Sequence, residues 1–216
     1  MKYIKWSTMG IMLIFLLAAC GNNAAEDVYQ HLEAAVELEQ PFEEQQQPLQ
    51  NAEMRENELF EEIIAIGTSE IEKIQSLADE ALNSIDSRKQ MLETEKASIE
   101  ASYEEFSKIE EYNEQFEDEE LLSSLEELQA TMEERYEQYQ LLYNSYNEAA
   151  NRDQKLFTQL KSEDLVMEEL QTQVQSVNEQ YEVVEEHKEA FNTATDSYNE
   201  NKRKFYEAAE LNISYD

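Results

Sequence analysis

From residue 69 onward, apolar side chains return every seven residues through an otherwise polar chain. In the last third Leu170, Val177, Val184, Phe191, Tyr198 and Phe205 form one such series, joined early on by Met167, Val174 and Tyr181. The middle third carries three series side by side. They are Leu125, Met132, Tyr139 and Tyr146, then Asp153 and Leu160; Leu121, Leu128, Arg135, Leu142, Ala149 and Leu156; and Leu122, Gln129, Tyr136, Tyr143, Ala150 and Phe157. A stripe that wide exceeds a two-stranded seam and predicts a helix packed on more than one neighbour. Further upstream, Ile71, Ala78, Ile85, Leu92, Ile99 and Phe106 hold a strict register, while their companions drift from Ile74 and Ala81 to Leu82 and Tyr103. A sustained period of seven predicts gently supercoiled helices.

The breaks fall where capping residues cluster. Gly67-Thr68-Ser69 can end one helix and cap the next, and Glu117-Asp118-Glu119-Glu120 places acids in a first turn. Lys161-Ser162-Glu163-Asp164 pairs a basic last turn with a Ser or Asp N-cap. The expected helices span 69–115, 119–161 and 165–211, of matched length and with short joints, which predicts an up-down antiparallel arrangement. Residues 26–66 add a fourth helical stretch, with Val28, Ala35, Phe42 and Leu49 seven apart, but Pro41 and Pro48 interrupt it. An interior proline removes a backbone hydrogen bond and clashes with the preceding turn, so this stretch is expected to be kinked or split. The fold class is therefore all-α: a long antiparallel bundle of three long helices plus a kinked N-terminal one, packed in coiled-coil fashion, with residues 26–216 forming a single elongated domain.

Residues 1–19 have another character. Lys2 and Lys5 precede an apolar run from Met9 to Leu17 and the small pair Ala18-Ala19, the pattern of an export signal. The run falls short of the roughly 20 apolar residues of a transmembrane helix. Leu17-Ala18-Ala19-Cys20 resembles a bacterial lipobox, which implies cleavage before Cys20 and lipid on its sulfur; residues 20–25 would then be the lipidated cysteine and a short tether. Two or more acyl chains hold a protein stably at a membrane, since burial contributes about 0.8 kcal/mol per methylene. Cys20 is the chain's single cysteine, so an internal disulfide is impossible.

Charge narrows the partners. Sixteen Lys and Arg face 50 Asp and Glu, for −34, and losing Lys2 and Lys5 with the leader takes this to −36. Such a body repels nucleic acid and anionic lipid. Phosphate-rich wall polymers would be repelled as well, unless divalent cations or cationic substituents intervened.

The lipobox, the stretches "VYQHLEAAVELEQPFEEQQQPL", "IGTSEIEKIQSLADEALNSID" and "MEERYEQYQLLYNSYNEAANRDQKLFTQL", and the closing "FYEAAEL" together resemble the YkyA-like family. That family is described as cell-wall binding lipoproteins of Gram-positive bacteria. The resemblance covers essentially the whole chain and implies a lipid-anchored bundle of long helices outside the membrane; it brings no catalytic residues with it.

Candidate chemistry is sparse. His31 and His187 lack the Glu-x-x-His spacing of di-metal bundles, and both are expected at the surface, His187 within a charged face. Paired acids such as Glu43-Glu44, Glu61-Glu62, Glu104-Glu105 and Glu119-Glu120 follow from composition, and a narrow bundle offers no evident cleft for an acid–base dyad. The Glu117–Glu120 corner lacks the glycine-bearing loop of a calcium site. Tyr136, Tyr139, Tyr143 and Tyr146 stand at 3–4–3 spacing on one face and could form an aromatic platform for a ligand or partner, although the same spacing suits the edge of a core. The expected protein is not an enzyme and carries neither cofactor nor metal. It is a lipid-anchored, extracytoplasmic spacer or docking protein of the cell envelope, held to the membrane through Cys20, whose partners are the wall or an envelope protein with a basic face. The alternatives are capture of wall fragments on the aromatic face, or an envelope hydrolase.

Overall fold

A computed structural model describes residues 20–67 and 70–211; the expected signal, residues 1–19, lies outside them. The chain forms α1 (Cys20–Leu38), α2 (Gln40–Ile66), α3 (Ile71–Ser107), α4 (Glu119–Leu160) and α5 (Met167–Ala208), with a 3-10 segment, Lys108–Gln115, between α3 and α4. No strand occurs among the described residues. The helices run alternately up and down, α1 and α2 together making one wall, so the fold is an all-α four-walled bundle. The α4–α5 and α2–α3 seams are the most closely packed, whereas α2 and α5 scarcely approach each other.

The core is stacked in three sections along the rod. At one pole Val28, Leu32 and Ala35 of α1 meet Phe106, Leu125, Leu128, Met132, Tyr198 and Phe205. The middle section joins Leu49, Leu92, Ile99, Tyr139, Tyr143 and Phe191. At the far pole Leu59 and Ile63 pack with Ala78, Ile85, Ala150, Phe157, Leu160 and Leu170. Every wall contributes to every section, and so residues 26–66 complete the bundle along its whole length.

Several local expectations need revision. The N-terminal stretch does split, but Pro41 sits in the first turn of α2, where its missing N–H would have had no partner anyway, and Pro48 is accommodated inside α2. Residues 24 and 25 are not tether: Ala24 and Ala25 are helical and buried against the first core section. The α3 helix ends at Ser107, and the tighter 3-10 winding beyond it keeps Ile109 and Phe116 in the core. Asp118 caps α4 through its carboxylate, which accepts from the N–H groups of Glu120 (2.9 Å) and Leu121 (3.0 Å). Neither Ser162 nor Asp164 caps α5, which begins after Val166, because Leu165 turns onto the far core section and delays the helix.

The companion register in α3 does not drift. Ile74, Ala81, Arg88, Glu95, Ser102 and Ile109 stand seven apart and are all buried. In α5 the buried companions are Gln173, Gln180 and Ala194, while Met167 is exposed. Both glutamines satisfy backbone that would otherwise be left wanting: Gln173 donates to the Arg152 carbonyl and Gln180 to that of Ser145, each at 2.9 Å. The heptad seams thus run unbroken through their polar members.

Candidate functional site

The loose α2–α5 seam opens into a cleft of about 380 Å³ floored by α4. Glu53, Glu56, Asn57 and Phe60 line it from α2, Asp153, Leu156 and Phe157 from α4, and Val174, Val177, Asn178 and Tyr181 from α5. Periodicity explains the convergence. Glu53, Glu56 and Phe60 stand three and four apart on one face of α2, as do Asp153, Leu156 and Phe157 on α4. The rings of Phe60 and Phe157 meet edge to face at 6.5 Å.

Beneath the acids lies the Arg88 guanidinium, contributed by α3 and fully buried. Its Nη2 pairs with Asp153 at 2.5 Å and Glu56 at 3.1 Å, and its Nη1 donates to the Tyr181 hydroxyl at 2.6 Å and to Glu53 at 3.4 Å. Tyr181 in turn donates a hydrogen bond to Asp153 at 2.7 Å, and Tyr146 donates to Glu53. Burial works against the Arg88 charge, but Tyr181, Glu56 and Asp153 hold its pKa above the ordinary value. Burial also raises both tyrosines and pushes the Glu56 carboxyl up to about 7, against the pull of Arg88. Two buried atoms of the network have no hydrogen-bond partner, Glu56 Oε1 and Arg88 Nε. A cleft lined by three carboxyls, with Glu56 pushed up by burial, therefore does exist, contrary to the expectation drawn from a narrow bundle.

The four tyrosines do not make one platform. Tyr139 is only 2% exposed and packs edge to face against Phe42 and Phe191. Tyr143 is buried and donates to Glu93 at 2.5 Å; burial, then Glu93, pushes its hydroxyl up to about 12. Tyr146 turns toward the Arg88 network. Tyr136, half-buried like Tyr146, stacks its ring on Tyr103 at 4.0 Å and 7°. The 3–4–3 spacing places the rings on the inner stripe of α4, where three helices surround them, and burial separates them. Tyr146 is the only one of the four to reach the cleft's charged cluster.

His31 is not a plain surface residue, because its Nδ1 meets Glu105 at 2.7 Å and ties α1 to α3. Lys108, then His31, holds the Glu105 carboxyl below the usual range. His187 is half-buried, with Nδ1 unpartnered. Among the described residues no group of three or more His, Cys, Asp or Glu is placed to hold a metal ion, and Asp118 is occupied by its cap. Cys20 heads α1; the lipid expected on its sulfur lies outside what the structure describes. No helix among the described residues is long and apolar enough to cross a membrane.

Comparison with known proteins agrees with the helical reading. The YkyA family model, described as "Putative cell-wall binding lipoprotein", matches residues 23–208. An uncharacterized lipoprotein, YkyA, of Bacillus subtilis (strain 168) is 30% identical over 206 residues, covering 95% of this chain and 92% of that protein. A conserved Staphylococcus aureus protein of unknown function, solved by crystallography, superposes with a TM-score of 0.76 at 14% identity, over 86% of this chain and 93% of that one. At that identity the likeness concerns the fold alone.

Proposed function

We propose that this chain, which belongs to the YkyA family of lipoproteins, is held at the outer face of the cell membrane by lipid on Cys20 and works there as a rigid spacer and docking rod. The observation that carries this reading is the polarity of the bundle. Antiparallel pairing leaves the start of α1 beside the end of α5, while the α2–α3 and α4–α5 joints share the opposite pole. The 42-residue α4 alone spans about 63 Å at about 1.5 Å per residue. A lipid at Cys20 therefore anchors one pole and carries the other about 60 Å outward. Ile64, Val166 and Met167, each at least half exposed, are the large apolar side chains presented at that distal pole. The acidic body favours a partner with a basic face over bare phosphate polymer.

Hydrolysis is poorly served by the cleft. All three acids of the cleft, Glu53, Glu56 and Asp153, are paired with Arg88, an arrangement that neutralises charge rather than setting one acid against one base across a bound bond. Photo-cross-linking in intact cells tests the docking reading. A photoreactive residue at Ile64 or Met167 should capture a recurrent envelope protein, one at the mid-rod Val183 should not, and Cys20→Ser should release the protein from the membrane. Identical adducts from all three positions, or none, would remove the docking role. Pelleting with purified wall by the same chain would move the reading to the wall itself.

A further inference from the structure

We propose that the α2–α5 cleft binds an organic ammonium group carried on a short apolar arm, with Glu56 and Glu53 receiving the charge and Phe60 and Phe157 flanking the arm. The first support is charge balance. Glu53, Glu56 and Asp153 bring three carboxyls to one guanidinium, and the cleft lining contains no Lys, Arg or His beyond that buried partner. An anion entering here would face those acids first, which excludes carboxylate and phosphate ligands. A cation would restore neutrality.

The second support is an unmet acceptor. Glu56 is 5% exposed; its Oε2 pairs with Arg88, while its Oε1 is buried with no hydrogen bond formed, and the Ser84 hydroxyl beside the carboxyl supplies no charge. A buried carboxylate oxygen without a partner is costly, and the protein keeps one at the wall of a cavity. Arg88 does not answer it: Nη1 and Nη2 are taken by Tyr181, Glu53, Asp153 and the other oxygen of Glu56, and Nε, although unpaired, makes no hydrogen bond to Oε1. An ammonium brings three donors and can bridge Glu56 and Glu53, three residues apart on the same face of α2.

The third support is shape. Phe60, Leu156, Phe157, Val174 and Val177 give the cleft an apolar flank next to its acids, and about 380 Å³ lies within the range of small-ligand sites. Aromatic faces beside the charge favour a cation further. A bare metal ion would gain nothing from that flank, whereas an alkyl arm would.

Binding should also be linked to pH. Glu56 faces Glu53 on α2, Ser84 and Arg88 on α3 and Asp153 on α4, and Arg88 in turn faces Tyr146 on α4 and Tyr181 on α5. Its carboxyl sits at about 7, so an ammonium must bind the ionised form and lose about tenfold in affinity between pH 8 and pH 6.

The test uses the purified protein with hexylammonium and its neutral counterpart 1-hexanol, followed by calorimetry and by aromatic NMR shifts. Hexylammonium should bind at least tenfold tighter than hexanol at pH 8, weaken toward pH 6, and lose at least tenfold in Glu56→Gln. Asn178 is exposed at the mouth, so Asn178→Lys leaves the core untouched while placing a competing ammonium in the cleft; it too should weaken binding tenfold. Glu207→Gln, at the other end of the rod, changes the net charge equally and should leave affinity within twofold. Equal binding of the two probes, or equal losses in Asn178→Lys and Glu207→Gln, would overturn the proposal.

Discussion

Two buried arginines divide the apolar core, and they are partnered differently. Arg135, on α4 between the first and middle sections, makes a two-pronged pair with Glu39 at 2.8 and 2.7 Å. Its Nε donates to Thr195 at 3.0 Å, and its guanidinium lies over the rings of Phe191 and Tyr198. One cation meets one acid, all three donor nitrogens are used, and the pair closes the break between α1 and α2. Arg88, between the middle and far sections, meets three acids, retains an unpaired Nε, and lies beside open volume. The balanced site can be read as fold maintenance. The unbalanced one is complete only with something added, and this marks it as the place to look for function.

The largest effect should come from removing the overloaded cation. Arg88→Met leaves three carboxyls around an apolar side chain and is expected to cost about 4 kcal/mol at pH 7, within the range for breaking a buried ion pair. Arg135→Met strands a single acid, Glu39, which is partly exposed, and should cost about half as much. Urea unfolding of the two variants at pH 7 and pH 5 measures the contrast. Lower pH should rescue Arg88→Met the more strongly, since protonation then relieves several acids at once. Equal losses with equal rescue would show that the count of acids does not matter.

Glu95 gives the next effect and isolates the cost of an acid with no cation at all. Its carboxyl is buried, receives one hydrogen bond from Gln46 at 2.5 Å, and is pushed by burial alone up to about 8. Because the folded value lies above the unfolded one, the stability associated with the protonated form is full below about pH 4.5 and is lost as pH rises toward 8. Glu95→Gln removes that loss, so it should gain about 3 kcal/mol at pH 7 and little at pH 4.5, at about 1.4 kcal/mol per pH unit. Glu56 carries the same sign over a window ending near 7. A flat stability difference between wild type and Glu95→Gln from pH 4.5 to 8 would contradict the assignment.

Helix number, lengths and antiparallel order follow from apolar periodicity and helix-end residues, and the strict series through Ile85, Met132 and Phe191 marks the core without any structure. The α3 companions were lost to view because Arg88 and Glu95 hold core positions that a hydrophobic count rejects. The signal was nonetheless present: Arg135 and Asp153 both fall inside seven-residue series of α4, and a charge at such a position calls for a buried counter-charge from another helix. Which helix supplies it depends on three-dimensional register, so the cleft could not be read from one dimension. The tyrosines illustrate the opposite error. Their spacing is real, but one helical stripe facing three neighbours sends its members to different surroundings, and aromatic character alone does not say which ring goes where.

The smallest effect tests whether the Arg135 end is purely architectural. Pro41 brings no N–H to the Glu37 carbonyl, and Phe42, whose N–H would reach Leu38 in an unbroken helix, is separated from it by the Ser98 hydroxyl. That hydroxyl accepts from Phe42 N–H at 3.2 Å and donates to the Leu38 carbonyl at 2.6 Å, standing in for the helical bond that the break removed. Ser102 supports the same corner by donating to Glu39 at 2.8 Å. Ser98→Ala leaves two backbone groups without a partner and should cost about 1 kcal/mol, with faster hydrogen exchange at Phe42. Hexylammonium affinity at the cleft should not move, because Glu53, Glu56 and Asp153 make no contact with this corner. A matching loss of affinity would mean that the α1–α2 break sets the placement of α2 along its length, so that the balanced arginine and the overloaded one belong to a single mechanical unit.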